Sequence, residues 1–359
     1  MFSRCLVLCS FVALLSGCQF FKPKPAPTPV PTPAPKMPPK IDYAKVQPNE
    51  LGRIPIVMYH SVGGKEGKDT KLNRTVASFN RDLALLYKYN YVPVNMVDVL
   101  QNKIDIPAGK RPVVLTFDDA RESQFKLIDQ QASMKVDPNC AVGLIEAFCK
   151  THTDWQPRAT FYVLPKSRLK MDIFDQSGLG PQKMKYLIDK GFEIGNHSIT
   201  HNSFAGYTAQ KIEAEVGGAQ KLISEAAPGV KVTSLALPYG AFPRNKTLWP
   251  SLIKGSNYNY LAALDAAWQP SPSPAAKDFN PLRVQRITPE DILNGLANWV
   301  LRMEKSSPFP PYVSDGDPGT LSFPASEKSK LDPAKAKAAG LLINAYGAGS
   351  GGSKPIVDG

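Results

Sequence analysis

Pro112-Val-Val-Leu-Thr-Phe-Asp118-Asp119 is the stretch on which the reading of this chain turns. An apolar, β-branched run reads as a buried strand, and this one stops abruptly on two carboxylates. Gly191-Phe-Glu-Ile-Gly-Asn-His197 repeats the form, and His201 follows in Ser-Ile-Thr-His201. Two Asp and two His at the ends of separate strands form a candidate divalent-metal site with one carboxylate to spare. An adjacent Asp pair is more often a solvated turn or a helix N-cap, and a lone His pair at this spacing is weak evidence. After a run as apolar as Val113–Phe117, however, two carboxylates are costly to place without a partner. If the chain turns helical after His197, both rings point the same way. Structural zinc sites usually have four protein ligands and more Cys, whereas three ligands beside a free carboxylate leave the open position of a hydrolytic site.

Outward from this run the chain alternates strands and helices. Ile54–His60, Tyr91–Val94, Ala159–Leu164, Phe192–Asn196, Val232–Leu237, Asn259–Ala263 and Arg283–Ile287 read as further strands. Between them the spacing predicts helices over Ser78–Tyr89 with Ser78 as N-cap, Met96–Gln101, Arg121–Gln131, Val142–Lys150, Pro181–Lys190, Thr208–Ala226, Leu248–Lys254 and Pro289–Lys305. That rhythm predicts a parallel α/β architecture, and its length of roughly 250 residues suits a (β/α) barrel with the site at the C-terminal strand ends. His60, Asp118, Asp119, His197 and Tyr239 each sit where a predicted strand stops. Residues 132–157 read as an insertion. There Cys140 and Cys149 could form a disulfide or remain two buried thiols, and the sequence leaves both open. His152, in the same segment, receives no role. Residues 306–359 read as an irregular Pro/Gly/Ser/Ala-rich tail with a short helix capped at Asp332-Pro333 and running through Tyr346.

The chain has 359 residues, 43% of them hydrophobic, and a formal charge of +12. It can bury a real core, and its charge suits an anionic environment such as a cell wall. No basic run interleaved with aromatics supports nucleic-acid binding. Arg4 and the apolar Leu6–Leu15 have the form of a signal peptide, too short for a membrane span. Residues 1–17 are read as that peptide. Leu15-Ser-Gly-Cys18 resembles the bacterial lipoprotein box, so cleavage falls before Cys18, which then carries lipid. Residues 18–50 form the anchor and a proline-rich linker, extended at ~3.1 Å per residue. Gln19 lacks the aspartate linked to inner-membrane retention, so the resemblance implies an exported periplasmic protein on the outer membrane of a Gram-negative bacterium.

Taken together, Thr116-Phe-Asp118-Asp119, Glu193-Ile-Gly-Asn-His197-Ser-Ile-Thr-His201 and Leu237-Pro238-Tyr239-Gly240 resemble, in order, the first three motifs of the polysaccharide deacetylase (NodB-homology) family. Ala159-Thr-Phe-Tyr-Val is similar to the strand that the family places between the first two. The resemblance spans about residues 52–300 and implies a distorted (β/α) barrel of about seven parallel strands. It implies Asp119, His197 and His201 as ligands of Zn²⁺ (or Co²⁺, Ni²⁺ or Mn²⁺), Asp118 as general base, metal-activated water as nucleophile and the Tyr239 N–H as oxyanion donor. Three departures stand out. Ala120 replaces the usual Gly, Ala236 stands where an Arg normally orients the base, and no His follows His201. Arg286 is the candidate replacement for that Arg. Met58-Tyr59-His60 resembles the early-strand His of poly-N-acetylglucosamine deacetylases, which makes His60 the general acid.

The expectation is a monomeric hydrolase of carbon–nitrogen (amide) bonds that removes N-acetyl groups from N-acetylglucosamine in peptidoglycan. Poly-N-acetylglucosamine and chitin-type oligosaccharides are the alternative substrates, and a non-catalytic wall-binding lipoprotein is the alternative of another class. Trp268, Tyr59 and Pro238 are candidates to line the substrate, with ordinary packing equally open for the two aromatics.

Overall fold

The computed structural model describes residues 40–129, 134–166, 172–305 and 308–347. Cys18, residues 1–17 and most of the proline-rich linker lie outside the described residues. The main strands are β1 (Ile56–Tyr59), β2 (Tyr91–Pro93), β3 (Arg111–Asp118), β4 (Thr160–Val163), β5 (Glu193–Asn196), β6 (Ser234–Ala236), β7 (Ala262–Trp268) and β8 (Val284–Arg286). Seven of them pair in the order β1-β3-β4-β5-β6-β7-β8, every pair parallel. A parallel bridge between Val57 and Ile287 closes the ring. There Met58 N–H donates to Ile287 O and Ile287 N–H to Ile56 O, both at 2.8 Å. β2 pairs with the first half of β3. The barrel is distorted where β5 and β6 share one pair, Asn196 with Leu235, and where the β7–β8 register slips between Leu264 and Trp268.

Alternation along β3 decides what the barrel holds. Tyr59, Phe117 and Phe161 stand in register on β1, β3 and β4, with ring centroids 5.4 and 4.9 Å apart. Tyr59 also meets Phe79 of the helix Val76–Lys88, so this aromatic layer faces the surrounding helices. Thr116 and Asp118, one residue to either side of Phe117, therefore face inward. Each aromatic buried this way contributes roughly 1.5–3 kcal/mol. Tyr59 is fully buried, and its hydroxyl donates to Asp82 at 3.1 Å. The expectation that Tyr59 lines the substrate is thus corrected, because period two aims its ring into the helix layer.

Several element boundaries move. Thr75, not Ser78, caps the helix Val76–Lys88 by accepting from Ser78 N–H. The predicted strand Asn259–Ala263 falls at Ala262–Trp268, and the helix expected over Pro289–Lys305 is confined to Leu296–Glu304. Lys246–Leu252 is a 3₁₀ helix with Pro250 inside it, which denies the segment a continuous α-helical ladder. Of Arg121–Gln131, expected to be helical, the described part through Asp129 is a turn followed by a short strand, Leu127–Asp129, paired with Lys135–Val136. The supposed insertion supplies the crossover helix from β3 to β4, Ala141–Thr151, which buries Val142, Leu144 and Ile145 in the main core. Cys140 and Cys149 are free thiols. Cys140 caps this same helix and Cys149 lies in its last turn, and nine residues at 1.5 Å each separate them by ~13 Å, about twice the Cα spacing that a disulfide spans.

The stretch read as an irregular tail is ordered through residue 347. Thr320–Pro324 and Leu342–Tyr346 pair in parallel around the helix Pro333–Ala338, which Asp332 caps; the helix expected through Tyr346 stops at Ala338, and Leu342–Tyr346 is the second strand. Leu51, Leu321, Phe323 and Leu331 form a small core there. Its polar centre is Glu50, fully buried, which accepts from Tyr312 Oη at 3.1 Å, Asp315 N–H at 3.3 Å and Ser322 N–H at 2.7 Å. Burial, reinforced by Asp315, pushes its carboxyl well above the ordinary range. Glu50→Leu removes the acceptor that serves all three donors, and each buried donor left unmatched costs about 1–3 kcal/mol. The expected result in a denaturant melt is a loss on the order of 3 kcal/mol, whereas Lys328→Ala on the surface should leave the midpoint unchanged.

Candidate metal and catalytic site

β3 delivers Asp118 as its last residue, and the chain then turns through two left-handed residues, Asp119 (φ 79°) and Ala120 (φ 49°). This explains the glycine that the family motif carries at position 120, since only glycine takes that conformation without strain. The turn brings Asp119 Oδ1 to 3.4 Å from His197 Nε2 and 3.3 Å from His201 Nε2. One donor atom from each residue lies within 4.8 Å of the other two. Asp119 Oδ1 and His197 Nε2 are buried with no hydrogen-bond partner, an arrangement that suits a shared cation. His197 Nδ1 lies 2.8 Å from Ala236 O, which takes its N–H and leaves Nε2 for the ligand.

His197 and His201 do not share a helix. Ser198 (φ 68°) and His201 (φ 59°) are left-handed, and the turn is held by side chains. Ser198 N–H donates to Asn196, His201 N–H to Ser198 Oγ, and Glu215 accepts from the N–H groups of Ile199 and Thr200. Arg121, which the sequence reading missed, donates twice to Asp119 Oδ2, at 3.0 and 2.8 Å, and leaves Oδ1 facing the histidines. Its position two residues after the ligand was the available signal.

Asp118 stays outside the ligand set. Arg286, fully buried on β8, grips it through two hydrogen bonds of 2.8 Å, one to each carboxylate oxygen. The same guanidinium donates to Thr116 Oγ1 at 3.2 Å and to the Asp265 carbonyl at 2.9 Å. Arg286 thus fills the place left open at Ala236. His60 follows β1, and its Nδ1 is buried without a partner. Tyr239 is left-handed (φ 60°) and 72% exposed, its ring 4.7 Å from that of His201. In its turn the N–H groups of Gly240 and Ala241 go to Leu237 O and Pro238 O. Trp268 ends β7 half-exposed, while Pro238 is buried beneath the turn and offers no face to a ligand.

Charge divides these groups by role. Burial works to raise Asp118, but Arg286 and His197 outweigh it and hold its carboxyl below the usual range. Burial likewise opposes ionisation of Asp119, and His197, His60 and Arg121 overcome it, so Asp119 lies far below the ordinary value. Burial, with His197 beside it, pushes His201 down to about 4. His197 moves the other way, because Asp118 and Asp119 outweigh its burial. Burial lowers His60 in spite of both carboxylates.

The fold and the site define an α/β barrel with a candidate Asp/His/His metal site and a separate, Arg-held carboxylate. Residues 105–251 match the model of the polysaccharide deacetylase family. Similar solved structures include the deacetylase PplD of Streptococcus pyogenes in complex with acetate, at TM-score 0.52 and 18% identity over 69% of this chain and 97% of that one. A polysaccharide deacetylase from Bacillus cereus gives TM-score 0.46 and 18% identity over 66% and 64%. IcaB from Ammonifex degensii gives 0.47 and 14% over 69% and 97%. The chain thus carries a polysaccharide deacetylase domain over residues 105–251, which supports an amide-bond hydrolase. His60, Trp268 and Arg286 lie outside the matched residues.

A cation must displace the proton that His197 holds. Divalent-metal affinity should therefore rise about tenfold per pH unit up to the raised pKa of His197, then level off. Calorimetric titration between pH 5.5 and 8.5 in buffers of different ionisation enthalpy should show about one proton released below that pKa and none above it.

Proposed function

We propose that this domain hydrolyses the N-acetyl groups of N-acetylglucosamine residues in peptidoglycan. The observation that carries the reading is the ionised, unliganded Asp118 fixed by Arg286 beside the Asp119–His197–His201 cluster. A bound divalent ion, Zn²⁺ or one of similar chemistry, supplies Lewis acidity toward water and the acetamide carbonyl. Asp118 takes the proton of the attacking water. Arg286 holds that carboxylate at one angle and keeps it charged until the proton arrives. The N–H of Tyr239 donates to the oxygen that becomes negative in the tetrahedral state. His60, which must first take up a proton against its lowered pKa, delivers that proton to the departing sugar nitrogen, since an amine anion is a very poor leaving group. Acetate is the second product, and acetate is what the PplD complex holds.

The net charge of +12 and the Leu15-Ser-Gly-Cys18 box favour an exported, lipid-anchored enzyme that meets the anionic wall from the outer membrane. Poly-N-acetylglucosamine is the second reading, favoured by His60 directly after β1. Acetate release by the metal-loaded protein should be compared on peptidoglycan, poly-N-acetylglucosamine and chitin oligomers. Release from peptidoglycan is expected to exceed the others. Metal binding with no release from any polymer would favour the wall-binding alternative. Asp118→Asn should lower turnover by about 10²- to 10⁴-fold while metal binding persists. Loss of metal instead would reverse the roles of the two aspartates. His60→Ala should slow amide cleavage by about 10²-fold or more yet spare an activated aryl acetate, whose leaving group needs no proton. Equal losses on both substrates would remove His60 as the acid.

A further inference from the structure

Gln124 is fully buried below the mouth of the barrel and belongs to no regular element. Its side-chain nitrogen donates to two carbonyls at once, that of His60 at 2.8 Å and that of Asp118 at 2.5 Å. These oxygens belong to the two residues assigned opposite proton-transfer roles, on adjacent strands. The ladder between the strands ends one residue earlier, at the pair Tyr59–Phe117. Beyond it the chains part. Ser61 pairs with Asn73, while Asp119 turns left-handed. The amide of Gln124 thus takes the place of one more rung where backbone pairing has stopped.

Only the nitrogen can face two converging carbonyl oxygens, so the orientation of the amide is fixed. Its Oε1 is left buried with no partner. An unmatched buried acceptor costs about 1–3 kcal/mol, which sets the strength of the constraint that the two donated bonds must supply. The segment carrying Gln124 is itself clamped. Ala141 N–H donates to Ser123 O at 3.2 Å and Val142 N–H to Gln124 O at 3.0 Å, which uses donors that a helix start leaves free. The ammonium of Lys183, buried, donates to Phe125 O at 2.7 Å and Phe174 O at 3.1 Å. The segment that carries the brace is therefore anchored through Phe125 as well.

We infer that Gln124 is a positioning residue for the deacetylation: its forked amide cross-links the ends of β1 and β3 and fixes the separation of His60 from Asp118. The inference rests on the reaction proposed above. Gln124 touches neither the substrate nor the cluster Asp119–His197–His201, so its removal acts on proton-transfer geometry and not on binding.

The test compares the full-length chain with Gln124→Met, which keeps length and loses both donors, and with Gln124→Glu. In the Met variant kcat should fall about 10- to 100-fold, the scale of a misplacement near 1 Å, while KM and the Kd for Zn²⁺ stay within about twofold. Hydrogen exchange in peptides covering 57–62 and 115–120 should quicken about tenfold, with the rest of the barrel unchanged. In the Glu variant an ionised carboxylate faces two carbonyls, whereas its protonated form donates to one. Its kcat should therefore recover relative to wild type as pH falls. Unchanged exchange and unchanged kcat in the Met variant would overturn the inference. So would a kcat loss matched by an equal loss of Zn²⁺ affinity, which would move the effect to Asp119. Wild-type protein that releases no acetate from any polymer defeats the proposed reaction instead, and the exchange measurement then still decides whether Gln124 braces the strand ends.

Discussion

A guanidinium inside a barrel needs a carboxylate. Arg286 is fully buried, and it meets Asp118 through two parallel hydrogen bonds, the geometry in which a buried ion pair recovers most of its desolvation cost. Its remaining donors reach Thr116 on β3 and the Asp265 carbonyl on β7, so one side chain from β8 ties together strands that do not pair with one another. Asp118 is in consequence both structural and chemical. It neutralises the brace, and the brace sets its angle toward the Asp119–His197–His201 cluster.

The same interaction resolves a departure from the family pattern. Where an Arg normally precedes the third motif this chain has Ala236, whose carbonyl instead holds the imidazole of His197. Here a guanidinium reaches Asp118 from β8, a different place in the sequence. The mouth also concentrates left-handed backbone at Asp119, Ala120, Ser198, His201 and Tyr239, none of them glycine. Such residues persist where their surroundings over-determine them, and here they include Asp119 and His201 of the candidate cluster.

Much of the candidate site was legible in the sequence because His60, Asp118, Asp119 and His197 fall at strand ends, with His201 close behind, and strand ends are marked by apolar runs that stop on polar residues. Asp118, Asp119, His197 and His201 needed nothing more. Arg286 was reachable only by asking what replaces Ala236, since an Arg in a short late strand carries no signal of its own. Arg121 and Gln124 were hidden for a different reason. They lie in a segment whose composition suits a helix, and the left-handed turn at Asp119 and Ala120, which prevents one, is set by tertiary contacts. The strands after Thr320 escaped notice because five-residue runs among Pro, Ser, Gly and Lys lack periodicity, and their pairing depends on Glu50, far away in sequence.

That last pairing also places the two ends of the described fold against each other. The Tyr43 ring lies 5.0 Å from that of Tyr346, Tyr346 Oη donates to Pro48 O, Asn49 bridges to Val313, and Glu50 N–H donates to Ser322 O. Tension applied through those ends would cross this junction directly, along a load path a few residues long. The ring of strands would stay outside that path, and a pull on the chain could be borne without deforming the ångström-scale spacing on which proton transfer depends.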